Sequence, residues 1–128
     1  MEIKFNTLTP NLWTTELDET IEFYTTNLGF QCLKKDEEWQ WALLKKDDVE
    51  IMFSKPNEQI PFKSSMFSGS FYFNIQDVNN LWEQLKDKTE KTEICYNIED
   101  FPWQMREFAI YDNNGYILQF GQDVETLK

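Results

Sequence analysis

The chain has 128 residues, of which 41% are hydrophobic and 16% aromatic, and its formal net charge is −11. This length and apolar content predict a folded globular protein and exclude a disordered chain. No apolar run approaches the roughly 18 residues of a membrane-spanning helix, and the N-terminal stretch MEIKFNTLTP lacks a signal-peptide pattern, so we expect a cytoplasmic protein. The acidic composition disfavours nucleic acid and anionic membranes as partners and favours cationic ligands.

The sequence contains no histidine and two cysteines, Cys32 and Cys95. The lack of imidazole removes the Ser-His and Cys-His nucleophile systems and the commonest protein ligand of zinc, iron or nickel. Two cysteines are too few for a disulfide scaffold, so we expect reduced, buried thiols. These absences favour a binding protein over an enzyme.

The first half predicts a strand, a helix and three further strands. A short strand around Leu12 precedes the helix, for which the pattern predicts Asp18 as N-cap and Gly29 as the stop. One apolar stripe consists of Leu17, Ile21, Tyr24 and Leu28. The strands that follow are FQCLKK, WQWALLKK and VEIMFS, with KKDD as the turn between the last two.

The second half repeats this order after a Pro-, Ser- and Gly-rich linker at about residues 56–68. Asp77 is the predicted N-cap of its helix, whose apolar stripe is Val78, Leu81, Trp82 and Leu85. The strands EICYNIE, MREFAIYD and YILQFG follow, and Asn114-Gly115 predicts a two-residue hairpin turn before the last. The prediction is an α+β fold in a single domain of two βαβββ modules, at about 5–55 and 69–122.

The order and spacing of several short motifs resemble the glyoxalase/bleomycin resistance protein/dioxygenase superfamily, also called vicinal oxygen chelate. The motifs are Phe23-Tyr24, Leu28-Gly29-Phe30, Arg106-Glu107-Phe108 and the turn Asp112-Asn113-Asn114-Gly115. The resemblance spans about residues 5 to 122 and implies curved mixed β-sheets around a concave cavity, commonly in a homodimer. It does not fix the function, because this fold serves metal enzymes and metal-free binding proteins alike.

The resemblance also implies four positions at which catalytic relatives hold a metal ion. In this sequence they carry Thr9, Met52 (or Glu50, if the register shifts by one pleat), Ser70 and Gln119. Only one of the four matches the His, Glu or Gln ligands of the family. Hydroxyls and a thioether are poor ligands for a hard divalent ion, so we expect neither a metal nor another cofactor.

Strand alternation predicts a ligand-binding face of aromatic, amide and carboxylate side chains. Alternation places Asn11, Trp13, Glu50, Met52, Tyr72, Asn74 and Gln119 on this face. Further predicted ligand-binding residues, which alternation does not assign, are Trp41, the loop residue Trp103 and Glu107. Parity leaves open whether Trp39 and Trp41 point into the cavity or away from it. Trp103 either contacts a ligand or anchors its loop, and Glu107 either pairs with a ligand amine or forms a surface pair with Arg106.

Three functional hypotheses follow. The first is non-catalytic binding of a small organic, possibly cationic, molecule, similar to the metal-free bleomycin-resistance branch, which sequesters an antibiotic. The second is a metal-dependent lyase, isomerase or dioxygenase with a degenerate site at Glu50 and Gln119. The third is a protein of this fold with an unrelated metabolite as its ligand. The expected partners are a small molecule and a second copy of the chain.

Overall fold

The computed structural model describes residues 2–60, 62–66, 69–88 and 92–127. The chain divides into two units, Met1–Phe62 and Lys63–Lys128. Each unit contains one helix and a four-stranded mixed sheet in the order β-α-β-β-β, which confirms the prediction of an α+β fold with two such modules. Positions 61, 67 and 68 of the predicted linker lie outside the described residues.

The first unit contains strands β1 to β4 and helix α1. Its elements are β1 (Asn11–Trp13), α1 (Leu17–Leu28), β2 (Gln31–Asp36), β3 (Trp41–Lys46) and β4 (Val49–Ser54). The strand order is β1-β4-β3-β2, in which β1 pairs with β4 in parallel and the other pairs are antiparallel. The helix therefore connects an edge strand to the opposite edge of the sheet.

The core of the first unit lies between α1 and one face of this sheet. Alternate residues of β3 and β4, among them Leu44 and Phe53, are fully buried. Tyr24 of the helix packs against Phe53 with ring centroids 5.0 Å apart. The opposite face of the sheet remains open within this unit, and it carries the predicted binding residues of the first half.

The second unit repeats the arrangement with strands β5 to β8 and helix α2. Its elements are β5 (Phe71–Asn74), α2 (Val78–Lys86), β6 (Glu93–Phe101), β7 (Met105–Tyr111), β8 (Ile117–Asp123) and a short 3₁₀ helix (Val124–Thr126). The strand order β5-β8-β7-β6 is that of the first sheet, again with one parallel pair, β5 with β8. The repeat inferred from sequence is thus also a repeat of topology.

Aromatic residues fill much of the core of the second unit. Phe108 is fully buried and contacts Trp82 of α2 and Phe120 of β8, with centroid separations of 5.1 and 5.2 Å. Phe73 of β5 stacks on the other side of Phe120. Large rings supply the buried area that a unit of this size needs.

The two helices begin differently. Asp77 is the N-cap of α2, as predicted, and its side chain accepts a hydrogen bond from the backbone N–H of Asn80. The prediction for α1 was wrong, because Glu16 is the N-cap, without a side-chain cap bond, and Asp18 lies in the first turn. An acid in the first turn still stabilises the helix through its dipole. Gly29 ends α1 at φ 78°, as predicted.

The hairpin between β7 and β8 is longer than the predicted two-residue turn. Gly115 donates its backbone N–H to Asp112 O at 3.1 Å. The Asp112 carboxylate accepts the backbone N–H groups of Asn114 and Tyr116 at 2.8 and 2.9 Å. Within this fully described turn only Gly115 has a positive φ, 89°, which suits a three-residue loop and not the predicted Asn114-Gly115 pair.

The prediction of buried thiols was also wrong. Both cysteines are free, as expected, but Cys32 is exposed on the edge strand β2 and Cys95 is half-buried on β6. Both lie on edge strands, where no neighbouring strand covers the side chains from beyond the edge. In the described residues, neither helix is long and apolar enough to cross a membrane.

Candidate functional site

The open face of the first sheet brings together five of the predicted binding residues. The register pairs Asn11 with Met52, and it aligns Trp13, Ser54 and Trp41 in one row across three strands. Residues in register across neighbouring strands point to the same face. The prediction that Asn11, Trp13, Glu50 and Met52 share one face therefore agrees with the geometry of the sheet, and Trp41 lies on the same face.

Burial of the neighbouring residues decides the orientation of Trp39 and Trp41, which strand alternation had left open. Ala42 and Leu44 are fully buried under the helix, so Trp41 points to the open face. Trp39 precedes β3 in a turn and is 67% exposed. The two indoles help line a cavity of about 470 Å³, together with Asp36, Ser54, Lys55, Pro56 and Asn57.

Glu50 is paired within the first unit. Its carboxylate accepts a long hydrogen bond of 3.5 Å from Thr9 Oγ1 and lies 3.9 Å from Lys45 Nζ. A lysine this close offsets the charge that would attract a cationic ligand or a metal ion. Of the two acids predicted for the binding face, Glu50 thus offers the weaker negative field.

In the second unit, Tyr72, Asn74, Glu107 and Gln119 lie on the open face. The register aligns Tyr72 with Gln119, and it places Asn74, Gly121 and Glu107 in the next row. Asn74 lines a separate cavity of about 730 Å³ beside the start of α2, whereas Glu107 and Gln119 line another, of about 430 Å³. The structure therefore groups Gln119 and Glu107, and Asn74 lies apart from them.

Glu107 is the centre of this second cavity. The residue is only 2% exposed although it lies on the open face, because aromatic side chains cover it. Its Oε1 accepts hydrogen bonds from Tyr72 Oη at 2.9 Å and from Trp103 Nε1 at 2.8 Å, and its Oε2 accepts one from Tyr96 Oη at 2.5 Å. Three donors directed at the two oxygens match an ionised carboxylate, which only accepts.

No basic side chain balances this carboxylate in the described part of the chain. Arg106, its neighbour in sequence, instead forms a two-pronged pair with Asp100 at 2.6 and 3.1 Å. The surface pair between Arg106 and Glu107 that the sequence allowed is therefore not formed. A buried carboxylate held only by neutral donors keeps its negative potential in the cavity.

A glycine allows Tyr72 to reach Glu107 across the intervening strand. The phenol passes over Gly121 of β8, where an added Cβ would lie 2.6 Å from Tyr72 Cζ and would overlap the hydroxyl oxygen. No side chain larger than hydrogen fits at this point while Tyr72 keeps its position over the strand. Gly121 therefore serves close approach, and its backbone does not need a positive φ.

Tyr96 and Phe101 also belong to the site and were missed by the sequence reasoning. The register of β6 against β7 shifts between Ile94 and Tyr96, which pairs Tyr96 with Ala109 and moves it to the open face. Simple alternation would put it on the core face with Ile94. Phe101 stacks on Trp103 with ring centroids 4.9 Å apart. Its position close to Trp103 in the chain is the one sequence signal that could have identified it as a site residue.

We call this cavity the Glu107 pocket. It is lined by Tyr96, Asn97, Glu99, Phe101, Trp103, Glu107 and Gln119. Burial and the hydrogen bond to Glu107 raise the pKa of Tyr96 to about 12, and the same causes raise the pKa of Tyr72. Both phenols therefore remain protonated donors at neutral pH. Trp103 is both a hydrogen-bonded anchor of its loop and, at 59% exposed, an open ring surface.

A model of the Glyoxalase/Bleomycin resistance protein/Dioxygenase superfamily matches residues 4–120. The chain belongs to this superfamily. The matched region extends from before β1 to Phe120 within β8, which agrees with the resemblance drawn from the short motifs. No curated protein matches the sequence.

Solved structures of this superfamily share the fold at low sequence identity. TioX from Micromonospora sp. ML1 is 17% identical with a TM-score of 0.73, over 93% of this chain and 99% of that one. A lactoylglutathione lyase from Agrobacterium tumefaciens is 17% identical with a TM-score of 0.74, over 97% and 98%. A glyoxalase/bleomycin resistance protein/dioxygenase from Nocardioides is 19% identical with a TM-score of 0.72, over 99% and 89%. At these identities the likeness establishes the fold alone.

The residues at the four metal positions of the superfamily do not fit a divalent ion. In the first unit they are Thr9 and Met52, a hydroxyl and a thioether, or Thr9 and Glu50 in the shifted register, where the Glu50 carboxylate is already paired with Thr9 and Lys45. In the second unit they are a hydroxyl and an amide, Ser70 and Gln119, and Ser70 Oγ donates a hydrogen bond to Gln119 Oε1. Hard divalent ions require several carboxylate, carbonyl or imidazole ligands. The described residues contain no group of three or more His, Cys, Asp or Glu placed to hold a metal.

Proposed function

We propose that the protein binds a small organic cation in the Glu107 pocket without transforming it. The observation that carries this proposal is the buried Glu107 carboxylate, which three neutral donors hold in place and no described basic residue balances. Aromatic rings surround it, so a flat ligand can stack while its charge faces the acid. The resemblance to bleomycin-resistance proteins suggests a cationic antibiotic as the ligand and sequestration as the biological role.

The negative charge of the pocket and of the whole protein supports a cationic ligand over an anionic or a neutral one. The pocket lining includes two carboxylates, Glu99 and Glu107, and among its described residues neither lysine nor arginine occurs. The protein as a whole has a net charge of −11, which raises the local concentration of cations. An anionic substrate would meet repulsion from both the pocket and the surrounding surface.

We also propose that binding requires no metal and that the protein works as a cytoplasmic homodimer. The donor set at Thr9, Met52, Ser70 and Gln119 supports the first point, and the two free cysteines support a reducing compartment. The alternative of a metal-dependent lyase, isomerase or dioxygenase has a simple test. Stoichiometric nickel, zinc, manganese or iron in purified protein would contradict metal-free binding, and sedimentation analysis would measure the oligomeric state.

The proposed function can be tested by calorimetric titration with a matched pair of planar molecules. N-methylquinolinium carries a permanent charge, and quinoline at pH 8 is its uncharged counterpart. We expect the cation to bind more tightly, with an affinity that falls as salt is added, because exposed and partly buried charges are screened. Equal affinity for the two molecules, or no heat for either, would contradict the proposal. A bleomycin-type glycopeptide, titrated in the same way, tests the antibiotic version.

Two tryptophan variants locate the binding site. Trp103→Leu removes both the open ring and the Nε1 donor to Glu107. We expect it to weaken N-methylquinolinium binding by about tenfold or more, since stacking and cation–π contacts contribute about 0.5–2 kcal/mol each. Trp39→Leu is the matched control, because Trp39 is similarly exposed but lies in the first unit. A larger loss in the control would place the ligand in the cavity beside Trp41 instead.

A further inference from the structure

At its buried end, around Glu107, the pocket offers a cation negative charge but few free hydrogen-bond acceptors. Oε1 of Glu107 accepts two hydrogen bonds, from Tyr72 and Trp103, and Oε2 accepts a third from Tyr96. A carboxylate has about four acceptor positions. With three of them in use and the side chain 2% exposed, the ligand reaches the electric field of the carboxylate more readily than its lone pairs.

The polar groups of Gln119 and Tyr96, next to Glu107, are also paired with one another. Gln119 Oε1 accepts from Ser70 Oγ, and Gln119 Nε2 donates to Tyr96 Oη at 2.9 Å. Tyr96 Oη in turn donates to Glu107, so its oxygen already has both a donor and an acceptor role. The hydrogen bonds therefore run in one direction, from Ser70 through Gln119 and Tyr96 to Glu107. This chain leaves its members little capacity for new donors.

Aromatic surface, in contrast, is available in two orientations. The indole of Trp103 is 59% exposed and stacks nearly parallel on Phe101, with an interplanar angle of 13°. The ring of Tyr96 stands at 77° to that of Phe101, with centroids 5.6 Å apart. Rings at such angles can present π surface to more than one side of a rounded cationic group.

We infer that the Glu107 pocket selects quaternary or N-alkylated cations over primary ammonium ions. A primary ammonium has three N–H donors, which lose water at the buried end of the pocket and need acceptors that Glu107, Gln119 and Tyr96 have already committed there. The second carboxylate of the lining, Glu99, is exposed and lies outside this buried network. A quaternary ammonium donates no hydrogen bond and needs only negative potential and π surface. The inference rests on the proposed function and specifies its ligand class: a flat aromatic body that carries a tetraalkylammonium or N-alkylpyridinium-type charge.

Three molecules with one scaffold test the inference by calorimetry at neutral pH. They are benzyltrimethylammonium, benzylammonium and benzyl alcohol. We expect the quaternary ion to bind about tenfold more tightly than the primary ion. This difference in affinity is comparable to the contribution of one well-formed cation–π contact. Equal or tighter binding of benzylammonium would overturn the inference and leave the proposed function intact. Failure of both cations to bind, or binding no tighter than that of benzyl alcohol, would refute the proposed function itself.

The variant Tyr96→Phe tests the mechanism of selection. It removes the hydroxyl that occupies Oε2 of Glu107 and keeps the ring, so an acceptor becomes available to a primary ammonium. We expect the affinity ratio between the quaternary and primary ions to fall by several-fold. Tyr111→Phe is the control, because Tyr111 is a tyrosine of the same sheet, at the end of β7, and does not line the pocket. Circular dichroism confirms folding of both variants, and an unchanged ratio in Tyr96→Phe would contradict the role assigned to occupied acceptors.

Discussion

The two units have the same topology but different chemistry at equivalent places. In the first sheet one row of the open face reads Trp13, Ser54 and Trp41, and in the second the equivalent row reads Asn74, Gly121 and Glu107. The strand order and the parallel pair are the same in both. The sheet thus sets where side chains point, and their size and polarity determine whether a site forms.

The middle residue of this row accounts for much of the difference in chemistry between the two units. Ser54 Oγ in the first unit donates to Asn11 Oδ1 at 3.1 Å in an exposed pair, and such bonds contribute little to stability. Gly121 in the second unit leaves room for Tyr72 to cross β8 and reach Glu107. A small residue between two polar ones therefore permits a buried network in one unit, whereas its counterpart has only a surface contact.

The largest effect is expected for Gly121→Ala. The new Cβ would displace the Tyr72 ring, which adds steric strain and breaks the hydrogen bond to Glu107. We expect a loss of about 2–4 kcal/mol in the free energy of unfolding, the sum of overpacking and an unmade buried hydrogen bond. Urea unfolding followed by circular dichroism measures it. Ser54→Ala, at the equivalent place in the first unit, should change stability by less than about 0.5 kcal/mol.

A second variant separates the clash from other effects of the methyl group. In a Tyr72→Ala background the space above Gly121 is empty, so adding Gly121→Ala should be nearly neutral. The two substitutions would then be strongly non-additive, as expected for groups in contact. Simple addition of the two losses would show that the crossing of Tyr72 over Gly121 is not what makes the glycine necessary.

Much of the fold could be predicted from sequence because it follows from local patterns. The helix of the second half, with Asp77 as its cap, and the alternation of Leu118, Gln119 and Phe120 depend on near neighbours and were confirmed. Tyr96 was missed because a bulge in β6 reverses its facing, and the residue pattern around it carries no sign of that shift. Bulges are set by pairing with β7, which is a tertiary property.

The predicted site residues show the same difference between what local sequence determines and what tertiary structure determines. Alternation placed Gln119 on the open face, and Glu107 was predicted as a partner for a ligand amine, but the sequence carried no information on how deeply Glu107 is buried. That burial depends on Tyr72, Tyr96 and Trp103 converging from three different segments. Asn74, which alternation grouped with them, lines the other cavity of the second unit. The face of the sheet that a side chain occupies follows from the local sequence, whereas its contact partners depend on the tertiary structure.

Glu107→Gln tests the network with no change in shape. An amide keeps an acceptor but turns an NH₂ group toward at least one of the three donors, which then lacks a partner. We expect a loss of about 1–3 kcal/mol in the free energy of unfolding, together with loss of cation binding. For the free energy of unfolding, Glu99→Gln is the matched control, because Glu99 lies directly opposite in register and is exposed. Equal losses in the two variants would argue that net charge matters and the buried network does not.

Alkaline pH provides a smaller effect that reports on the same network. Burial and the hydrogen bond to Glu107 raise the pKa of Tyr96 from its usual 10.0 to about 12. Because folding favours the protonated phenol, this contribution to stability is fully present below pH 10 and is lost as pH rises toward about 12. The near-ultraviolet absorbance of tyrosinate, compared with Tyr96→Phe, should show a group that titrates late. In Glu107→Gln that group should titrate earlier, and an unchanged midpoint would contradict the assignment.

The smallest expected effect on stability comes from the N-caps of the two helices, which differ between the units. Asp77 accepts the backbone N–H of Asn80 at 3.2 Å, whereas Glu16, the equivalent residue of α1, makes no side-chain cap bond. Replacing a functional N-cap by alanine lowers stability by about 1 kcal/mol, because one helix donor loses its partner. We therefore expect Asp77→Ala to lower the free energy of unfolding by about that amount and Glu16→Ala to change it by only a few tenths. If Glu16→Ala were the more harmful, the dipole of α1 would depend on its first acid more than the cap geometry indicates.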